Sequence, residues 1–211
     1  MRVIYFDCTN GVSGDMAYTA LKELSGVKTD IIIPGHGRAH SRFADIGDLI
    51  NNCEISGGAK EKAISIYSVI AQAEASVHGT DIENVHFHEV GRSEAVANII
   101  GAASCADALK ADKILVSEIC DGKGAIECSH GVIPVPVPAV MAMRGKSDLV
   151  FITDEGVSTE MVTPSGLAIL IGLGASYRKE FPEGKILKKA VAFGSRDTGG
   201  KSGFAAYLLE V

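Results

Sequence analysis

A chain of 211 residues, 46% of them hydrophobic, is long enough for one substantial core, and a single domain over 1–211 is the expectation. Its net charge of −6, with no run of Lys or Arg, excludes a nucleic-acid surface, because the phosphate backbone requires a basic patch. No stretch reaches ~18 uninterrupted apolar residues, and Met1-Arg2-Val3-Ile4-Tyr5-Phe6-Asp7 turns acidic too soon for a signal sequence, so the reading is a cytoplasmic protein with no membrane partner.

Arg2 to Cys8 reads as a short buried strand. Gly11 to Gly14 is a small-residue loop before an amphipathic helix with Ala17, Ala20, Leu21 and Leu24 on one face. Thr29 to Pro34 is a second apolar run, and the polar, glycine-rich Gly35-His36-Gly37-Arg38-Ala39-His40 after it reads as a loop. Asp45 to Asn52 is a candidate helix. From Ala59 to His78 the apolar residues Ala63, Ile66, Ile70, Ala73 and Val77 recur with helical period, and Gly79 is placed to end that helix. Ser93 to Leu109 repeats the pattern through Val96, Ile99, Ile100, Ala103 and Ala106.

Lys113 to Ile119 reads as a strand, Gly122 to Gly124 as a turn, and Ala125 to Cys128 as a short strand delivering Ser129-His130-Gly131. Pro134, Pro136 and Pro138 force an extended approach to a helix from Pro138 to Met143. Leu149 to Thr153 is another strand, and Thr163-Pro164-Ser165-Gly166 is a helix start before Leu167 to Leu173. Val191 to Phe193 and Phe204 to Leu209 close the chain as strands around a glycine-rich turn. Strands alternating with helices indicate an α/β layered domain with a mixed sheet flanked by helices, and no internal repeat is visible.

The densest chemistry lies in His86-Phe87-His88-Glu89-Val90-Gly91. On an extended segment, alternation puts His86 and His88 on one face and Phe87 on the other, so both imidazoles can reach one ion. Imidazoles suit nickel, zinc, copper or iron better than magnesium or calcium. The alternative is a pair of surface or hydrogen-bonded histidines. Further ligands must come from elsewhere: His130 is the first candidate, with Glu94 or Asp15 behind it, whereas His36, His40 and His78 fit less well. An incomplete set would leave a position open for a substrate atom.

Asp7 and Asp15 flank the loop Asn10-Gly11-Val12-Ser13-Gly14. Its backbone N–H groups and the helix N-terminus could hold a phosphate, while the two carboxylates hold a hard cation beside it. Alternatively, Ser13 or Asp15 only caps the helix. Gly199-Gly200-Lys201-Ser202 falls short of a phosphate loop, because Ser195 stands where that pattern needs glycine. Ser129 and His130 are adjacent on an extended segment and so point to opposite faces, which disfavours a nucleophile–base pair. Cys8, Cys53, Cys105, Cys120 and Cys128 are odd in number and lack a Cys-x-x-Cys pair, and read as reduced thiols, mostly buried.

Four ordered motifs carry a resemblance: Asp7-Cys8-Thr9-Asn10-Gly11-Val12-Ser13-Gly14-Asp15-Met16; Val77-His78-Gly79 leading to the His86–Gly91 run; His130-Gly131-Val132-Ile133-Pro134-Val135-Pro136-Val137-Pro138; and Thr163-Pro164-Ser165-Gly166. They resemble the N-terminal domain of the nickel insertion protein family of lactate racemase maturation, over nearly the whole chain. The resemblance implies a lyase that places nickel into a pyridinium bis-thiocarboxylate mononucleotide, making the nickel-pincer nucleotide cofactor with CTP and manganese or magnesium. Three departures stand out. The segment between the first helix and the histidine run is shorter than is usual in the family. Glu94 and Asn98 stand where the family usually shows two aspartates, and the amide carries one negative charge fewer. The CTP-associated C-terminal domain has no counterpart up to Val211, so a separate CTP-using polypeptide is the expected partner.

On this reading His86, His88 and His130 bind or pass on nickel, the Asp7–Asp15 loop holds the cofactor phosphate through Asn10, Gly11, Ser13 and Gly14, and the precursor's sulfurs complete the coordination. Glu89 is the nearest candidate base. Two alternatives remain open: a non-catalytic paralogue serving as an assembly or storage subunit, and a metal-dependent nucleotide hydrolase using Asp7 and Asp15. A homo-oligomer is compatible with each.

Overall fold

Ile4 and Phe6 are fully buried on one face of the first strand, and Val3 and Tyr5 are buried on the other, so that strand lies inside a sheet covered on both sides. The computed structural model describes residues 1–28, 42–128, 131–196, 198 and 203–211. In chain order the elements are β1 (Arg2–Asp7), α1 (Gly14–Ser25), α2 (Phe43–Asn52), α3 (Gly57–His78), a 3-10 turn (Ile82–Asn84), α4 (Ser93–Leu109), β2 (Lys113–Val116), β3 (Ile119–Asp121), β4 (Gly124–Cys128), β5 (Gly131–Val135), α5 (Pro138–Arg144), β6 (Phe151–Thr153), α6 (Pro164–Gly172), β7 (Ser176–Tyr177), β8 (Lys185–Ala192) and β9 (Phe204–Glu210).

The main sheet has the order β7-β2-β1-β9-β8. β1 pairs parallel with β2 and antiparallel with β9, so the sheet is mixed, as the alternation of elements indicates. On one face Ile4, Phe6, Val116, Phe204 and Ala206 join the large core built with the helices. On the other, Val3, Tyr5, Leu115 and Leu209 make a small cluster that Phe181 covers, its ring edge-on to Tyr5 and Tyr207 at 5.0 Å each. α1 packs on β8 and β9 and against α4, while the 22-residue α3 packs against α4, α5 and α6. Ser56 caps α3 by accepting from the Ala59 N–H at 3.1 Å, and Gly79 ends it in the left-handed region at φ 62°. Two small sheets, parallel β3–β6 and the antiparallel hairpin β4–β5, stand apart from the main one.

Several elements depart from the sequence reading. The run expected as one strand from Lys113 to Ile119 breaks into β2 and β3 at Ser117: its N–H still donates to the Phe6 carbonyl, but the Cys8 N–H goes to the Ser117 hydroxyl, which itself donates to the Glu118 carbonyl, so the backbone ladder stops there. β8 is eight residues long, not a short run from Val191, and its lysines hide the pattern because it is an edge strand with one face open. Val77, placed on the inward stripe of α3, is 40% exposed. The histidine run forms no strand; His86 makes one isolated bridge with Arg42. The apolar run Thr29 to Pro34, the loop with His36 and His40, and Ser129-His130 lie outside the described residues.

Candidate functional site

The site is assembled where α1 and α6 begin side by side. Val12 N–H donates to the Met161 carbonyl at 2.9 Å and Thr163 N–H donates back to Val12 at 3.0 Å, a single parallel bridge that ties the loop after β1 to the segment before α6. The contact is too close for side chains. A Cβ on Gly11, which has φ +83°, would come within 2.3 Å of the Met161 carbonyl oxygen, and one on Gly166 within 2.5 Å of the Val12 carbonyl oxygen. Thr163 caps α6 by accepting from the Gly166 N–H at 3.2 Å. Ser13 occupies the N-cap position of α1 without a capping bond; its hydroxyl donates instead to Asp15 Oδ1 at 2.5 Å. The first N–H groups of α1 therefore have no side-chain cap from Ser13.

Around this point lies a polar cleft of about 340 Å³. The first turns of α1, α4 and α6 all reach it, through Ser13, Gly14 and Asp15, through Arg92, Glu94 and Ala95, and through Thr163 and Ser165. Helix N-termini carry positive partial charge, and residues of three such turns line this one space, which favours an anion. Asn10 is on its wall, its amide donating to the Gly203 carbonyl at 3.3 Å. Gly11 is not on the wall but sets the turn that brings Asn10 and Ser13 there.

A second cleft, about 710 Å³ and largely apolar, adjoins the first across Glu89, Arg92, Glu160 and Arg196, which line both. Its greasy walls include Val90, Ile126, Ile133 and Val137, and the polar groups at its rim include His78, His88 and Cys128. The histidine run is held there by its apolar residues: Phe87 packs on the Tyr67 ring at 5.8 Å, and the Tyr67 hydroxyl donates to the Val90 carbonyl at 3.1 Å. Val85 and Phe87 are buried while His86 and His88 are exposed, so the alternation read from the sequence holds without a strand.

The candidate residues do not all converge. His88 and Glu89 reach the clefts; His86 lines neither. Asp15 faces the polar cleft, but Asp7 lines neither, and its Oδ1 is taken by the Thr9 N–H and hydroxyl at 3.1 and 2.6 Å. His130 lies outside the described residues. His78, set aside in the sequence, lines the same cleft as His88, 3.4 Å from Glu74. Among the described residues no three His, Cys, Asp or Glu side chains gather closely enough to enclose a metal ion. Glu89 is 44% exposed and gripped by Arg92 in a fork, at 2.8 and 2.9 Å.

The residue that sequence reasoning missed is Glu160. It is 4% exposed, stands on the shared wall, and pairs with Arg196 at 2.7 Å. Burial pushes its carboxyl up to about 7, Arg196 pulls it down, and the charge of Asp121 adds to the rise. Asp121 is fully buried at the end of β3, and its Oδ1 accepts from the N–H groups of Gly122, Met161 and Val162 at 2.8, 2.9 and 3.1 Å. That fork fixes the backbone immediately after Glu160. No local motif marks such a residue, because the groups that act on it, Asp121 of β3 and Arg196, are distant in sequence.

The nickel insertion protein family model matches residues 22–208. The chain belongs to the nickel insertion protein family. It is 37% identical to the pyridinium-3,5-bisthiocarboxylic acid mononucleotide nickel insertion protein of Acetivibrio thermocellus, across 94% of this chain and 58% of that relative. It is 32% identical to a putative nickel insertion protein of Roseiflexus castenholzii, across 92% and 56%, and 31% identical to the Alkaliphilus metalliredigens protein named as the first is, across 98% and 60%. The chain thus spans little more than half the length of these relatives. No solved structure matches it. No helix among the described residues is long and apolar enough to cross a membrane.

Proposed function

We propose that this member of the nickel insertion family handles nickel during its insertion into a pyridinium bis-thiocarboxylate mononucleotide, the step that forms the nickel-pincer nucleotide cofactor. The observation that carries the reading is the continuity of two clefts of opposite character across Glu89, Arg92, Glu160 and Arg196. A mononucleotide with a flat aromatic ring has the same two ends. Its phosphate fits the polar cleft, where the starts of α1, α4 and α6 meet beside Asn10, Ser13 and Gly14. Its ring fits the apolar cleft, between Ile126, Ile133 and Val137.

Nickel is the cargo in this reading. Thiocarboxylate sulfurs are soft donors that favour it, and His88, on the wall of the ring cleft, delivers it to them. His86 and Asp7, which line neither cleft, belong with His130 to an outer capture route. Asp15 and Glu94 give manganese or magnesium two carboxylates next to the phosphate. CTP acts through a separate CTP-using polypeptide.

Calorimetry with the mononucleotide and with nickel tests this in the wild type and in His88→Ala and His86→Ala. The mononucleotide is expected to bind with a dependence on its phosphate, and His88→Ala is expected to lower nickel affinity by at least ~10-fold, more than His86→Ala. Failure of the mononucleotide to bind would sink the reading.

A further inference from the structure

Seating a metal on a protonated donor displaces a proton, and that proton needs an acceptor. In a pyridinium-3,5-bisthiocarboxylate the two sulfur donors are already ionised at neutral pH, since thiocarboxylic acids ionise well below it. The ring carbon between them still carries hydrogen. Nickel held by both sulfurs lies against that carbon, and bonding to it breaks the C–H bond. The bond's electron pair becomes the nickel–carbon bond, the proton leaves, and no net oxidation or reduction occurs.

Resting on the function proposed above, we infer that Glu160 is the catalytic residue that accepts this proton and that Arg196 positions its carboxylate. Glu160 is on the wall common to the phosphate cleft and the ring cleft, where a ligand spanning both must pass. Its backbone is fixed by the Asp121 fork on Met161 and Val162, and Arg196 engages its Oε2 at 2.7 Å. Little water competes for a carboxylate only 4% exposed. Burial raises it to about 7, so the accepting form and the protonated product coexist near neutral pH, where proton transfer is most effective. Glu89 is the weaker claimant: it is 44% exposed, and both of its oxygens are engaged by Arg92.

Several other charges bear on Glu160. Arg196 and Asp121 act on it directly. Asp15, Glu89, Arg92 and Glu94 face the polar cleft from α1, the histidine run and the start of α4. Glu74 and His78 from α3, His88, and Glu127 from β4 face the other cleft. A pH profile alone would therefore mix contributions, and the test needs a binding readout.

The experiment compares wild type, Glu160→Gln and Glu160→Asp in the protein supplied with nickel, the mononucleotide, CTP, magnesium and the CTP-using polypeptide, under conditions where the wild type forms product. Binding of nickel and mononucleotide is followed by calorimetry, and the nickel–carbon product by mass spectrometry in a single turnover. Glu160→Gln is expected to bind both as the wild type does and to form product ~100-fold more slowly or worse. Glu160→Asp is expected to recover part of the rate with a shifted pH profile. Product formation by Glu160→Gln at the wild-type rate would overturn the assignment, as would loss of mononucleotide binding in that variant alone, which would make Glu160 a binding residue. Absence of binding in the wild type would instead sink the function on which the inference rests.

Discussion

Asp107 and Glu160 are both almost fully buried, at 8% and 4% exposure, and both are paired with basic side chains, yet one lies at about 2 and the other at about 7. The difference lies in how many donors surround each. Asp107, near the end of α4, accepts from the Ser56 hydroxyl at 2.7 Å, from Lys110 at 3.0 Å and from Lys62 at 3.1 Å. The Ser56 bond contributes most to its fall, burial opposes it, and the lysines add to it. Glu160 has Arg196, whose side chain is 46% exposed, and a second carboxylate behind it. The first arrangement fastens the start of α3 to the end of α4; the second leaves a carboxyl ready to change its charge. Burial alone does not sort structural from chemical carboxylates.

The sharpest way to break that contrast is to remove the clamp. Asp107→Ala strips Ser56, Lys62 and Lys110 of their common acceptor, and because both lysines can turn to water the expected loss is about 2 kcal/mol, read from denaturant unfolding at pH 7. Asp107 has a depressed folded-state pKa, so its contribution is complete above its ordinary value of 3.8 and is lost as pH falls toward about 2. In the variant that acid limb should flatten. A loss independent of pH between those limits would mean that the clamp acts by packing and not by charge.

Arg196→Met tests the other member of the pair. Glu160 has a raised folded-state pKa, so the folded chain binds the extra proton between 4.5 and about 7, and stability falls as pH rises through that window, by at most about 1.4 kcal/mol per pH unit. Without Arg196 the carboxyl rises further and the window widens. The variant should be less stable than wild type by about 1 kcal/mol at pH 8, discounting for the exposure of Arg196, and equal to it near pH 5, where Glu160 is neutral in both. An equal deficit at both pH values would place the role of Arg196 in packing.

The same contrast explains what could be read from the sequence. Helices α3 and α4 and strand β1 were legible because their apolar residues recur with one period and face one core, as Ile66, Ile70, Val96 and Ile99 do. The loop from Asn10 to Gly14 and the Thr163–Gly166 start were legible because glycine and proline there meet local backbone demands. β8 was hidden because an edge strand with lysines on its open face has no apolar alternation. Within the site, His88 and Glu89 could be named because metal-binding residue types stand close together in sequence. Glu160 could not, since neither its type nor its neighbours differ from those of a surface glutamate; the groups that act on it, Arg196 and Asp121, come from distant parts of the chain.

The smallest test asks how much of the Asp107 clamp depends on its exposed lysines. Lys110 follows α4 in the left-handed region, with φ 47° and ψ 45°, where a side chain is strained and glycine is not. Its ion pair with Asp107 is 3.0 Å long, but its side chain is 70% exposed, so the pair contributes only a few tenths of a kcal/mol. Lys110→Gly therefore relieves backbone strain of roughly 0.5–1 kcal/mol while losing less than that in electrostatics, and the net change is expected to be neutral or slightly stabilising by thermal unfolding. Because the Ser56 hydroxyl is the main influence on Asp107, its acid limb should persist in Lys110→Gly and shrink in Ser56→Ala. A fall of more than about 1 kcal/mol in the glycine variant would show that the exposed ammonium, and not the Ser56 hydroxyl, holds α3 and α4 together, a size of effect exposed ion pairs do not ordinarily reach.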